Sequence, residues 1–226
     1  MRAVDHERPG PRASCLMVFL PGGGDDERSF VRHGFVAEVA RHNYSIDMVA
    51  TDATLGYYTR GVFSERLARD VVLRRVARGY KELWLVGNSL GGFGSLLYSR
   101  QREGQVSGVL ALAPYLGNDK DVFEAIRSAG GLRNWHAPAK APIREANLTP
   151  ELWRWLQALT TGHERGPDLY LGYGDHDPLT ARTSKLLAGA MPPAHVFATA
   201  GGHDWTTWHT LFSEFLERGP LAERCK

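Results

Sequence analysis

The stretch Leu83-Trp84-Leu85-Val86-Gly87-Asn88-Ser89-Leu90-Gly91-Gly92 decides the fold. Its four leading apolar residues have the length and bulk of a buried strand. They run into a glycine-flanked serine, and a helix continues to about Gln101. A sharp strand-to-helix turn holds its central serine at unfavourable dihedrals with the side chain exposed. The residues two before and two after that serine then crowd one another, so only glycine or a similarly small residue fits. Gly87-x-Ser89-x-Gly91 in this context is the signature of an activated serine, whereas a Gly-rich turn with an incidental hydroxyl needs no such flanks. A serine hydroxyl is a poor nucleophile at neutral pH and requires an adjacent base.

Outward from this turn, apolar runs of strand length recur at 15–20, 46–50, 109–113, 169–173 and 195–199. They alternate with helical segments, the pattern of a parallel sheet covered on both faces. The expectation is an α/β fold with about six mainly parallel strands in a single domain over 15–226, preceded by a polar segment at 1–14. One helix is expected over 29–42, and another from Ser64 as N-cap to near Gly79, with Tyr57, Tyr58 and Gly61 in the loop before it. A last helix starts near Asp204 and buries Trp208, Leu211, Phe212 and Phe215, spaced i, i+3, i+4 and i+7. Residues 115–166 exceed what a strand connection needs. They carry a helix signalled by Thr149-Pro150-Glu151, with Leu152, Trp155, Leu156 and Leu159 as its buried stripe, and read as a short helical lid.

Composition narrows the function. A chain of 226 residues with 43% hydrophobic and 23% charged residues is an ordinary globular one. A net charge of +2 gives no reason to expect nucleic acid or an acidic membrane as partner. The basic stretch 66–81 is interleaved with Leu67, Val71, Val76 and Tyr80, as a solvated helix face would be. No apolar run reaches membrane-span length, and Cys15–Leu20 is too short for a signal-peptide core. Two cysteines at opposite ends of the chain do not make a disulfide framework, and a cytoplasmic setting follows as the expectation.

Three further pieces lie at the carboxyl ends of expected strands, where parallel sheets bind ligands. Leu20-Pro21-Gly22-Gly23-Gly24-Asp25-Asp26 exposes backbone N–H groups suited to an oxyanion, with Gly23 and Leu90 as the donors. It lacks the Lys-Ser/Thr of a phosphate-binding loop and the spacing of a dinucleotide fingerprint, and by itself it could be a plain tight turn. Gly174-Asp175-His176-Asp177-Pro178 offers a carboxylate to orient a histidine, Asp177 or, one register away, Asp175. Adjacent loop residues rarely converge on one ion, so neither a metal nor a cofactor is expected. Gly201-Gly202-His203-Asp204-Trp205 presents His203 as general base, with His209 the alternative one helical turn on. Asp26, Tyr115 and Trp205 are candidate substrate-lining residues, although aromatic side chains at such positions also serve simply as core.

The order Ser89, Asp177, His203 and the motifs around them resemble the α/β-hydrolase superfamily from about Cys15 to Leu216. The stretch Gly202-His203-Asp204-Trp205-Thr206-Thr207-Trp208 is most similar to small esterases of the esterase D and feruloyl-esterase kind. The resemblance implies a serine hydrolase that cleaves a small-molecule carboxylic ester through a covalent acyl-enzyme, with a Ser89–His203–Asp177 catalytic triad and Gly23 and Leu90 as oxyanion hole. A thioesterase or acyltransferase could use the same triad, and a noncatalytic binding protein could keep the scaffold. Pro21 stands where many members carry histidine, Asn88 where His, Tyr or Asp is commoner. The first two strands of the eight-stranded family sheet have no evident counterpart before Cys15.

Overall fold

A computed structural model describes residues 1–144 and 147–226. Its seven strands are β1 (Ala3–His6), β2 (Cys15–Leu20), β3 (Ile46–Thr51), β4 (Glu82–Asn88), β5 (Gly108–Leu112), β6 (Asp168–Gly174) and β7 (Val196–Thr199). They form one sheet in the order β1-β3-β2-β4-β5-β6-β7, parallel throughout except for the antiparallel β1–β3 pair. The chain leaves β2 toward β3 on one side and returns to β4 on the other. That reversal opens a crevice at the carboxyl ends of β2 and β4, where open α/β sheets bind ligands.

The sheet has seven strands where about six were expected. Residues 1–14 supply an edge strand, Ala3 pairing with Thr51 and His6 with Met48.

Helices α1 (Ser29–Arg32), α2 (Phe35–Arg41), α10 (Trp205–Arg218) and α11 (Leu221–Arg224) cover one face. The other face carries α3 (Leu55–Thr59), α4 (Phe63–Leu67), α5 (Leu73–Val76), α6 (Leu90–Gln101), α7 (Lys120–Ser128), α8 (Leu148–Thr160) and α9 (Ala181–Ala188). Strand β2 shows why two faces are needed. Its side chains alternate with period two, Cys15, Met17 and Phe19 to the first layer and Leu16, Val18 and Leu20 to the second, and all are buried.

Local differences from the sequence reading have local causes. The helix expected over 29–42 is two, because Gly34 takes φ +84° between α1 and α2. Tyr57 and Tyr58 lie in α3, and α4 begins at Phe63 with Val62, not Ser64, at the cap. A wide-turn stretch, Ala68–Val72, joins α4 to α5. Helix α8 starts one residue before Thr149. Of the segment 115–166, residues 145–146 lie outside those described. Its Trp153 is fully buried and donates to the carbonyl of Leu116.

Cys15 and Cys225, 210 positions apart in sequence, are joined by a disulfide, a single bond where the sequence showed no disulfide framework. It ties the amino end of the central strand β2 to the chain end beyond α11, where the Ser45 N–H also donates to the Cys225 carbonyl. No helix of the described residues is long and apolar enough to cross a membrane.

Candidate active site

Ser89 sits between β4 and α6 at φ 51° and ψ −115°. Among the described residues only Ser89 and Ala113 combine a side chain with positive φ, a conformation that costs about 1–3 kcal/mol and survives only where its surroundings enforce it. Three backbone hydrogen bonds do so. Ser89 donates to the Leu112 carbonyl (2.9 Å), and its own carbonyl accepts from Phe93 (3.1 Å) and Tyr115 (3.0 Å). The glycines behave as the motif requires. A Cβ on Gly87 would fall inside the Gly91 carbonyl, and one on Gly91 inside the carbonyl of Leu20 on β2.

His203, in the loop between β7 and α10, reaches Ser89. Its Nε2 lies 2.9 Å from Ser89 Oγ and its Nδ1 2.7 Å from Asp177 Oδ2. The loop is held by the start of α10. Asp204 accepts the Thr207 N–H, and the Thr207 hydroxyl accepts the Gly202 N–H. The Trp208 ring meets the imidazole edge-to-face at 5.0 Å. His209 points elsewhere, toward Glu38, and burial together with Arg41 lowers its pKa.

Asp177 is 3% exposed, so an unsupported charge there would be costly. Burial alone would raise its pKa. The Thr180 hydroxyl, His203 and the N–H groups of Leu179 and Thr180 outweigh that and hold it below the usual carboxylate range. Asp175 cannot form the same turn, because Pro178 occupies the position whose N–H would close it. Asp175 instead faces Lys185 at 3.3 Å.

The glycine loop after β2 lies against the serine turn. The position of a side chain on Gly22 is 3.5 Å from Ser89 Cβ, and that on Gly23 is 4.0 Å from a Leu90 methyl. Leu90 begins α6, whose first N–H groups have no intrahelical acceptor.

The three expected lining residues diverge. Tyr115 is 40% exposed beside Phe93. Trp205 is half-buried, stacked on His33 at 4.4 Å and edge-on to Phe30 and Trp208. Asp26 turns to Arg32 and accepts the Arg28 N–H, while Oδ2 of its neighbour Asp25 comes within 3.3 Å of where a side chain on Gly22 would begin. Sequence reasoning missed Asp25 and Thr180. The Asp177-Pro178-Leu179-Thr180 spacing carried a signal for the second, since an Asp side chain commonly accepts N–H groups two and three residues on.

Among the described residues one group of three side chains, Cys15, Glu82 and Cys225, is close enough to share an ion, and its two sulfurs are already bonded to each other. A cavity of about 560 Å³ lined by His6, Arg8, Val39, His42, Tyr44 and Met48 contains none of these site residues.

No family model and no curated protein sequence matches the chain. Solved structures do. A ferulic acid esterase superposes with a TM-score of 0.64 at 16% identity, covering 96% of this chain and 87% of its own. A fluorophosphonate-binding serine hydrolase of Staphylococcus aureus, in substrate-bound form, gives 0.63 at 11% identity, over 96% and 97%. An S-formylglutathione hydrolase of Agrobacterium tumefaciens gives 0.61 at 12% identity, over 99% and 95%. With its topology and these similarities together, the chain has the α/β-hydrolase fold.

Proposed function

We propose that the protein is a serine hydrolase that cleaves carboxylic esters through a covalent acyl-enzyme. The observation that carries this reading is the unbroken hydrogen-bonded chain from Ser89 through His203 to Asp177, at the carboxyl edge of the sheet. His203 takes the Ser89 proton as the oxygen attacks the carbonyl, and Asp177 fixes the imidazole and stabilises its cation. The N–H groups of Gly23 and Leu90 receive the developing oxyanion. No protein acceptor among the described residues takes either of them. His203 then returns the proton to the leaving alcohol, and water reverses the sequence to free the acid.

Thioester cleavage needs the same groups, and S-formylglutathione hydrolases among the similar structures favour including thioesters in any assay. Residues 115–166 fit the role of a lid, with Tyr115 leading from β5 into it. A cytosolic setting accords poorly with the disulfide, which suits an oxidising compartment better. The test is hydrolysis of 4-nitrophenyl acetate by the wild type and by Ser89→Ala. The reading requires turnover in the first and background in the second, and equal rates would overturn it.

A further inference from the structure

The inward-facing carboxylate of Asp25 has no part in the proton relay. A side chain on Gly22 would begin 3.3 Å from Asp25 Oδ2, 3.0 Å from Asn88 Nδ2 and 3.5 Å from Ser89 Cβ. Only glycine fits there, and its lack of a side chain lets the carboxylate close in beside the serine turn. The amide of Asn88 beneath it is fully buried and, among the described residues, finds no hydrogen-bond partner for either polar atom. This side of the serine turn is therefore polar.

Asp25 also has no salt-bridge partner among the described residues, although Arg32 and His33 lie near enough to act on its carboxylate. Its Oδ1 accepts from the Ser29 hydroxyl at 3.1 Å, and the Trp205 indole helps hold it. Arg32 pairs with Asp26 instead, and His33 is engaged in stacking on Trp205. Among the described residues no ion pair reaches Asp25. Burial outweighs these influences and the Ser29 and Trp205 contacts, and pushes its pKa up. A partly buried, unpaired charge beside a reactive centre is disfavoured for stability and is a common mark of function.

We propose that Asp25 is a specificity-determining residue, an anionic subsite that selects esters carrying an ammonium or other cationic group and rejects those carrying a carboxylate. This inference rests on the serine hydrolase reading. A bound cation would supply the partner that the fold withholds. A carboxylate on a substrate bound beside Ser89 would meet Asp25 instead, the arrangement by which like charges exclude wrong ligands.

The experiment compares charge isosteres on either side of the ester at pH 7.5. Butyrylcholine is set against 3,3-dimethylbutyl butyrate, and ethyl 4-(trimethylammonio)butyrate against ethyl 5,5-dimethylhexanoate. Wild type is expected to show a kcat/KM ratio of cationic to neutral ester of roughly tenfold or more in at least one pair, given the strength of a partly screened ion pair. Asp25→Asn and Asp25→Ala should both bring that ratio near one, while Asp26→Asn should keep the wild-type ratio. A ratio near one in wild type, or one unchanged in both Asp25 variants, overturns the inference. The 4-nitrophenyl acetate assay separates the two failures. Turnover that vanishes in Ser89→Ala keeps the hydrolase reading whatever the ratios show, whereas its failure removes both.

Discussion

His203 and Ser89, 114 positions apart in sequence, meet with Nε2 2.9 Å from Oγ. Neither element could make that approach alone. β4 ends in a turn whose strain exposes the hydroxyl, and the loop after β7 is fastened to α10 by Asp204 and Thr207.

Asp177→Asn should reduce kcat on an activated ester by about 10³–10⁴, because the amide neither fixes the productive tautomer nor stabilises the imidazolium. Asp175→Asn, at a carboxylate that faces Lys185, should stay within a few-fold of wild type. Steady-state kinetics on the two variants separates these neighbours. Reversed effects would assign the role to Asp175.

Acid stability should carry the mark of Asp177. Its folded pKa lies below the ordinary value, so its contribution is present above the unfolded value of roughly 4 and is lost as pH falls through the folded one. Melting temperature should therefore decline below about pH 4, and less steeply in Asp177→Asn. Identical slopes in differential scanning fluorimetry would show that the carboxylate is not stabilised by its hydrogen bonds. Asp25 has the opposite sign. Its raised pKa means that the ionised form opposes folding, and Asp25→Asn should melt higher than wild type at pH 7.

Gly91→Ala should be severely destabilising, by about 3 kcal/mol or more, since the new methyl meets the Leu20 backbone of the central strand. Gly92→Ala, whose Cβ would sit 3.0 Å from Pro114, should cost less. Urea midpoints for the pair check the ranking.

Reduction of Cys15–Cys225 should lower stability by about 2–5 kcal/mol, because the bond closes a very long loop in the unfolded chain. For a chain of this size that is roughly 5–15 °C in melting temperature. Two thiols titrating in unreduced, denatured protein would contradict the bond.

Strands β2 to β6 were legible because each is a short, mostly buried apolar run, and the edge strand β7 because Val196, Phe197 and Ala198 still read as one although only Phe197 is buried. β1 was not. Ala3–His6 is an edge strand, half-exposed and with a single neighbour, so no apolar pattern marks it. The loop geometry was readable to within one residue. The chain shows two adjacent acids at 25–26, and only the turn closed by the Gly22 carbonyl and the Ser29 hydroxyl decides which faces the serine. The 175–177 pair was decided by local chemistry already visible in Pro178 and Thr180. The cysteine pairing depends on the whole sheet bringing both chain ends together, and no local pattern announces such a contact.

Whether Ser89 is activated can be read from intact mass after exposure to a fluorophosphonate, comparing wild type with Ser89→Ala. Folded wild type should gain one covalent adduct and the variant none. An unlabelled wild type, or equal labelling of both, would contradict an activated Ser89.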